Sequence, residues 1–151
     1  MNLAEMLAET KLCETQLIRI MILRKNVMTR NYSNRSELTI SENELEKAKF
    51  ELDREKNIEN KDKAISDLKE IIFRNKKIID EKNSEYGINI LLQKIKFIKI
   101  ELSQLTFDKY TSSISDYDTS DRIRDLEIEK IRLLNKVMAK NHSINIEINS
   151  F

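Results

Sequence analysis

The chain has 151 residues, 40% hydrophobic and 35% charged, and 27 Lys and Arg against 26 Asp and Glu leave a formal net charge of +1. One Gly and no Pro stand where average usage would give roughly ten and roughly eight, too few turn formers for a hairpin-rich β fold, so an all-α fold is expected. The charge balance lacks the basic excess of a phosphate-gripping protein, and a single cysteine, Cys13, allows neither an internal disulfide nor a thiolate metal cage.

Ile (22), Lys (18) and Asn (14) are abundant and share A/T-rich codons, the skew of a low-GC bacterial or phage-like genome. Glu5, Glu9 and Glu14 fall where a secretion signal would carry a basic start and an uncharged apolar run. The longest apolar runs, Ile20 to Leu23 and Ile90 to Leu92, are far too short to span a bilayer. A reducing, cytoplasmic compartment fits this pattern.

The first helix is expected over 2–30, where Leu3, Met6, Cys13, Leu17, Ile20 and Val27 recur at intervals of three and four, with Thr10 and Arg24 as polar interruptions. Within Leu17 to Leu23 only Arg19 is polar, which predicts burial against more than one neighbour. A short strand is the rival, but the Ala-, Glu-, Lys- and Met-rich flanks favour helix. After a polar break at Asn31 to Ser36, Ser41 precedes Glu44 by three and fits a capping box for a second helix over 42–82. Its stripe of Leu45, Ala48 and Leu52 lapses from Asp53 to Lys63, then resumes with Ile65, Leu68, Ile72 and Ile79. Either one long helix continues, about 60 Å at ~1.5 Å per residue, or the chain bends and restarts.

Gly87 suits a left-handed C-terminal cap. The third helix, 88–108, carries the cleanest seam in the chain: Ile88, Leu91, Ile95, Ile98, Leu102 and Leu105. Its inner IKFIKIEL also alternates like a strand, but the six-position helical match is longer. A polar loop is expected over 109–119, then a fourth helix over 120–141 capped by Asp118 or Ser120, with Ile123, Leu126, Leu133 or Leu134, and Val137 or Met138 as its core edge. The tail 143–151, alternating Ile144, Ile146 and Ile148, is either extended along a helix or disordered. The whole, 1–151, reads as a single helical domain: an elongated antiparallel bundle of about four main helices with coiled-coil-type packing.

Three stretches carry a family resemblance. The opening MNLAEML is similar to an MKLAEAL-type start, LLQKIKFIKIEL occupies the place of a central helix after an Asn-rich turn (Asn75 to Asn83), and RDLEIEKIRLLNKVMAKN is similar to a closing helix. Together they resemble the small bacterial helical proteins known as septicolysin-like. The chain departs from that pattern where an Asn-Trp pair is expected, because Asn141 is followed by His142 and there is no Trp. The resemblance implies an all-helical, coiled-coil-like, oligomeric fold, and the family name alone suggests membrane activity.

Few residues offer chemistry. His142, the only histidine, sits near a helix end where it favours the dipole. A di-iron bundle needs two Glu-x-x-His motifs, which one histidine cannot supply. Asp116, Asp118, Ser120 and Glu127 fall at positions 1, 3, 5 and 12 of a calcium loop, but position 6, which calls for Gly, is Asp121, and an N-cap explains the acids as well. Cys13 lies on the apolar stripe as a small core residue. Lys94, Lys96 and Lys99 form a possible basic face with Phe97 and Tyr110 for stacking, or simply the wet side of the seam. No cofactor motif exists.

The expected function is a non-enzymatic interaction or scaffolding module, or a binding-type inhibitor, that self-associates through helix stripes or engages a protein partner of unknown identity. Nucleic-acid binding through lysine faces is the alternative, and membrane activity the third.

Overall fold

A computed structural model of the chain describes residues 1–29, 40–111 and 116–147, with side chains described at 1–29, 44–109 and 119–147. It is an all-α helical bundle. Four helices follow one another among the described residues: α1 (Leu3–Met28), α2 (Ile40–Glu85), α3 (Ile88–Thr111) and α4 (Asp116–Ser143). Apart from these the described backbone holds one isolated antiparallel bridge, between Asn2 and Asn145.

Local chemistry sets the ends. At the start of α1 the Asn2 side chain accepts from the Glu5 amide at 2.9 Å, and the Glu5 carboxylate accepts from the Asn2 amide at 2.7 Å. This reciprocal pair satisfies two of the amides a helix start leaves bare. α2 is continuous for 46 residues. Its stripe lapses between Asp53 and Lys63, yet that stretch holds no Gly or Pro and is rich in good helix formers, so nothing ends the helix. The helix begins at Ile40, one residue before Ser41, whose side chain lies outside the described residues.

Gly87 terminates α2 with φ at +70°, a conformation Gly adopts without a Cβ clash. The Lys140 ammonium donates to the Tyr86 carbonyl at 2.8 Å, placing a cation on the chain just past the helix end. The polar loop expected over 109–119 is shorter than the composition suggests. α3 runs to Thr111 and α4 begins at Asp116, leaving only 112–115 between them. Near its end α3 is held by its own polar side chains: Thr106 donates to the Leu102 carbonyl at 2.7 Å and Gln104 donates to Asp108 at 3.3 Å. Acids at the start of α4 suit the positive end of a helix dipole.

The chain divides into two compact units, Met1–Leu7 with Lys77–Phe151, and Ala8–Lys76. In the first unit α3 buries Ile88, Leu91, Ile95, Ile98 and Leu102 against Leu126, Leu133 and Val137 of α4, with Leu105 and Ile123 half-buried beside them. Fully burying such a side chain contributes roughly 1.5–3 kcal/mol. The helices are antiparallel: Glu101 late in α3 receives two hydrogen bonds from Arg122 early in α4, at 2.8 and 3.1 Å, while Lys140 late in α4 reaches Tyr86 just before α3.

The two ends of the described chain close this core. Leu3 donates its amide to the Ile144 carbonyl at 2.9 Å, and Ile146 donates to the Met1 carbonyl at 2.9 Å. Leu3, Met6, Ile144 and Ile146 are all buried in the same cluster. Of the two states open to the tail, 144–147 is extended, and it is tied to the start of α1; residues 148–151 lie outside the described residues.

In the second unit α1 and α2 run antiparallel, as the ion pairs Arg24–Asp62 and Glu14–Lys76 require. Cys13 and Ile72 are buried, and so are two polar residues at seam positions, Thr10 and Asn75. The expectation that Leu17 to Leu23 is buried on several sides is not met. Leu17 and Ile20 are half-buried, but Ile18, Met21, Ile22 and Leu23 are exposed. Within this unit α1 has one helical neighbour, α2, and one neighbour covers one stripe.

Candidate interaction face

The seam accounts for one side of α3. Two positions further round, Ile90, Gln93, Phe97, Ile100, Gln104 and Phe107 repeat the same three-and-four interval. A shift of two residues is about 200° on a helix, so this second stripe lies opposite the buried one. Its apolar members are open: Ile90 is 63% exposed, Phe97 60%, Ile100 57% and Phe107 62%. One exposed isoleucine needs no explanation, but four large side chains aligned on one helix face do. α4 also exposes Ile128, Ile131 and Met138, with Arg124, Asn135 and His142 interrupting that line.

The three lysines expected to form a basic face are all exposed. Lys96 and Lys99 lie along the second stripe, lining a shallow groove with Ile100, Ser103, Gln104 and Phe107. Lys99 also borders a second groove against α4, with Leu102, Thr106, Glu127 and Lys130. Lys94 faces the other flank. There Arg132 hydrogen-bonds Glu129 at 2.7 and 2.9 Å and holds its carboxyl below the ordinary carboxylate range, and Lys94 and Lys136 add to that effect. The Arg132 guanidinium is raised in turn by Glu129. The three lysines therefore divide between a stripe flank and an acid-lined flank. Tyr110, expected as a stacking partner, has a side chain outside the described residues.

The calcium-loop reading fails on backbone grounds. Asp116 through Glu127 run within α4, whereas a twelve-residue ion loop has to turn around its ion. The Asp116 and Asp118 side chains lie outside the described residues, and Glu127 is engaged by Lys130 at 2.9 Å. Among the described residues no three His, Cys, Asp or Glu side chains gather as a metal site. His142 is exposed in the last turn of α4, and Cys13 is buried as a free thiol. Among the described residues no helix is long and apolar enough to cross a membrane.

Two features are absent from the sequence expectations. The second α3 stripe is recoverable from spacing alone, but Gln93 and Gln104 interrupt it, and the stronger opposite seam draws attention first. Asn75 is 1% exposed, and its Nδ2 has no hydrogen-bond partner among the described residues. It stands at the stripe position between Ile72 and Ile79, where an isolated polar residue in an apolar series is the only signal. Comparisons with protein-family models, with curated proteins and with solved structures find no match for this chain.

Proposed function

We propose that the chain is a non-enzymatic helical interaction or scaffolding module, self-associating through helix stripes, in a reducing cytoplasmic setting. A binding-type inhibitor would use the same surface chemistry. The observation that carries this reading is the second stripe of α3, four large apolar side chains more than half exposed on a helix whose opposite face is already packed. Apolar surface organised at helical intervals is what one helix offers another. The resemblance to septicolysin-like proteins points the same way, toward a helical oligomer.

Sedimentation velocity over a range of concentrations tests it. The sedimentation coefficient is expected to rise with concentration, and a monomer at every concentration that also captures no partner from the source cell would overturn it. Nucleic-acid binding is the second reading, favoured by the neighbouring Lys96 and Lys99 and the exposure of Phe97 and Phe107. A mobility shift at low salt that disappears in Lys96→Gln/Lys99→Gln would establish it, and absence of any shift would end it. Membrane activity, which only the family name suggests, is tested by dye release from liposomes; intact vesicles would end that reading.

A further inference from the structure

We infer that the second stripe of α3 is covered by α3 of a second copy, in an antiparallel two-fold contact that sets Gln93 of each copy against Gln104 of the other. This rests on the self-association reading above and specifies its partner, face and direction. The stripe alternates in the a/d manner of a helix pair, with Ile90, Phe97 and Gln104 at one kind of position and Gln93, Ile100 and Phe107 at the other. Two antiparallel copies place the first kind opposite the second. Centred between Ile98 and Lys99, Ile90 then meets Phe107, Phe97 meets Ile100, and Gln93 meets Gln104.

Every apolar position thus finds an apolar one, and the two amides, which would be costly against carbon, find each other. Shifting the register by one heptad sets Gln93 against Phe97 and breaks this match. The groove bounded by Lys96, Ile100, Ser103, Gln104 and Phe107 is the kind of hole between successive turns that receives a side chain from a facing helix.

Among the described residues the exposed line of α4 lacks the property. On α4, Ile128 and Ile131 can face each other only if Arg124 meets Asn135. Burying what Ile90, Phe97, Ile100 and Phe107 expose, with the aliphatic stems beside them, would withdraw on the order of 1,200 Å² over both copies. That is the lower end of a standard interface, and it suits an association in the micromolar range, on the order of the weakest specific complexes of this size.

Spin-label distances in the full chain test the direction, using Asn89→Cys or Ser103→Cys in a Cys13→Ala background. In the antiparallel pair the two Asn89 sites lie roughly 30 Å apart and the two Ser103 sites roughly 17 Å apart, from 1.5 Å rise per residue and an interaxial distance of about 9 Å. A parallel pair would give the same short distance at both sites. Equal distances in a dimer would overturn the antiparallel contact and leave self-association standing. Ile100→Glu is expected to weaken association at least tenfold while the unassociated chain keeps its helix content and melting temperature. Unchanged association in Ile100→Glu would place the interface on another face, and absence of any dimer in the parent chain would overturn both this contact and the reading it rests on.

Discussion

Ile95→Ala and Ile100→Ala remove the same atoms from opposite faces of one helix, so their difference isolates burial. Ile95 is 4% exposed and sits in the seam against α4, whereas Ile100 is 57% exposed. At ~0.8 kcal/mol per buried methylene, truncating Ile95 loses roughly 2.4 kcal/mol of transfer free energy. A residual cavity brings the total to about 3–4 kcal/mol. For a chain of this length that lowers the melting temperature by about 10 °C. Ile100 loses less than half the transfer term, and alanine's better helix propensity returns a few tenths, so its cost is below about 1 kcal/mol. Urea and thermal unfolding followed by circular dichroism at 222 nm, at concentrations below association, read both. Equal costs at the two positions, or a small cost at Ile95, would show that the seam does not carry the stability assigned to it.

Gly87→Ala places a Cβ on a residue with φ at +70° but into open space, so only backbone strain is at stake. It is expected to cost about 1–2 kcal/mol in denaturant unfolding. Asn2→Ala removes one half of the reciprocal cap with Glu5 and should cost about 1 kcal/mol by the same measurement. The Glu129 carboxyl, held down chiefly by its hydrogen bonds from Arg132, should titrate below the ordinary carboxylate range by carbon-detected NMR, and Arg132→Met should raise it. Because its folded-state pKa is the lower one, the pair's stabilisation is fully present above the ordinary carboxylate value and is lost as the pH falls through the folded value.

The α3 seam was legible because Ile88, Leu91, Ile95, Ile98, Leu102 and Leu105 keep one period without interruption, and a packed helix face requires just such a period. Helix ends were less so. Around 109–119 the Ser, Thr and Asp content reads as loop, yet α3 runs to Thr111 and α4 begins at Asp116, where acids suit the positive end of the helix dipole. The alternation of Ile144 and Ile146 marks an extended segment but not its partner, the start of α1, because a backbone bridge leaves no trace in side-chain types. The apolar run Leu17 to Leu23 misled in the other direction: it marks surface that wants covering without saying whether the same chain supplies the cover. Asn2 and Glu5 do carry a readable signal, a cap residue followed three places later by Glu. The second α3 stripe was equally readable once Gln93 and Gln104 are allowed as members of it.

Isoleucine methyl NMR in a dilution series from about 10 μM to about 1 mM tests residue by residue whether the outer face of α3 is an interface. The methyls of Ile90 and Ile100 are expected to move together with one apparent dissociation constant, while those of Ile95 and Ile98, packed in the seam, stay in place. Methyls of Ile90 and Ile100 that do not move across the series, or movement confined to the exposed isoleucines of α1, would contradict it.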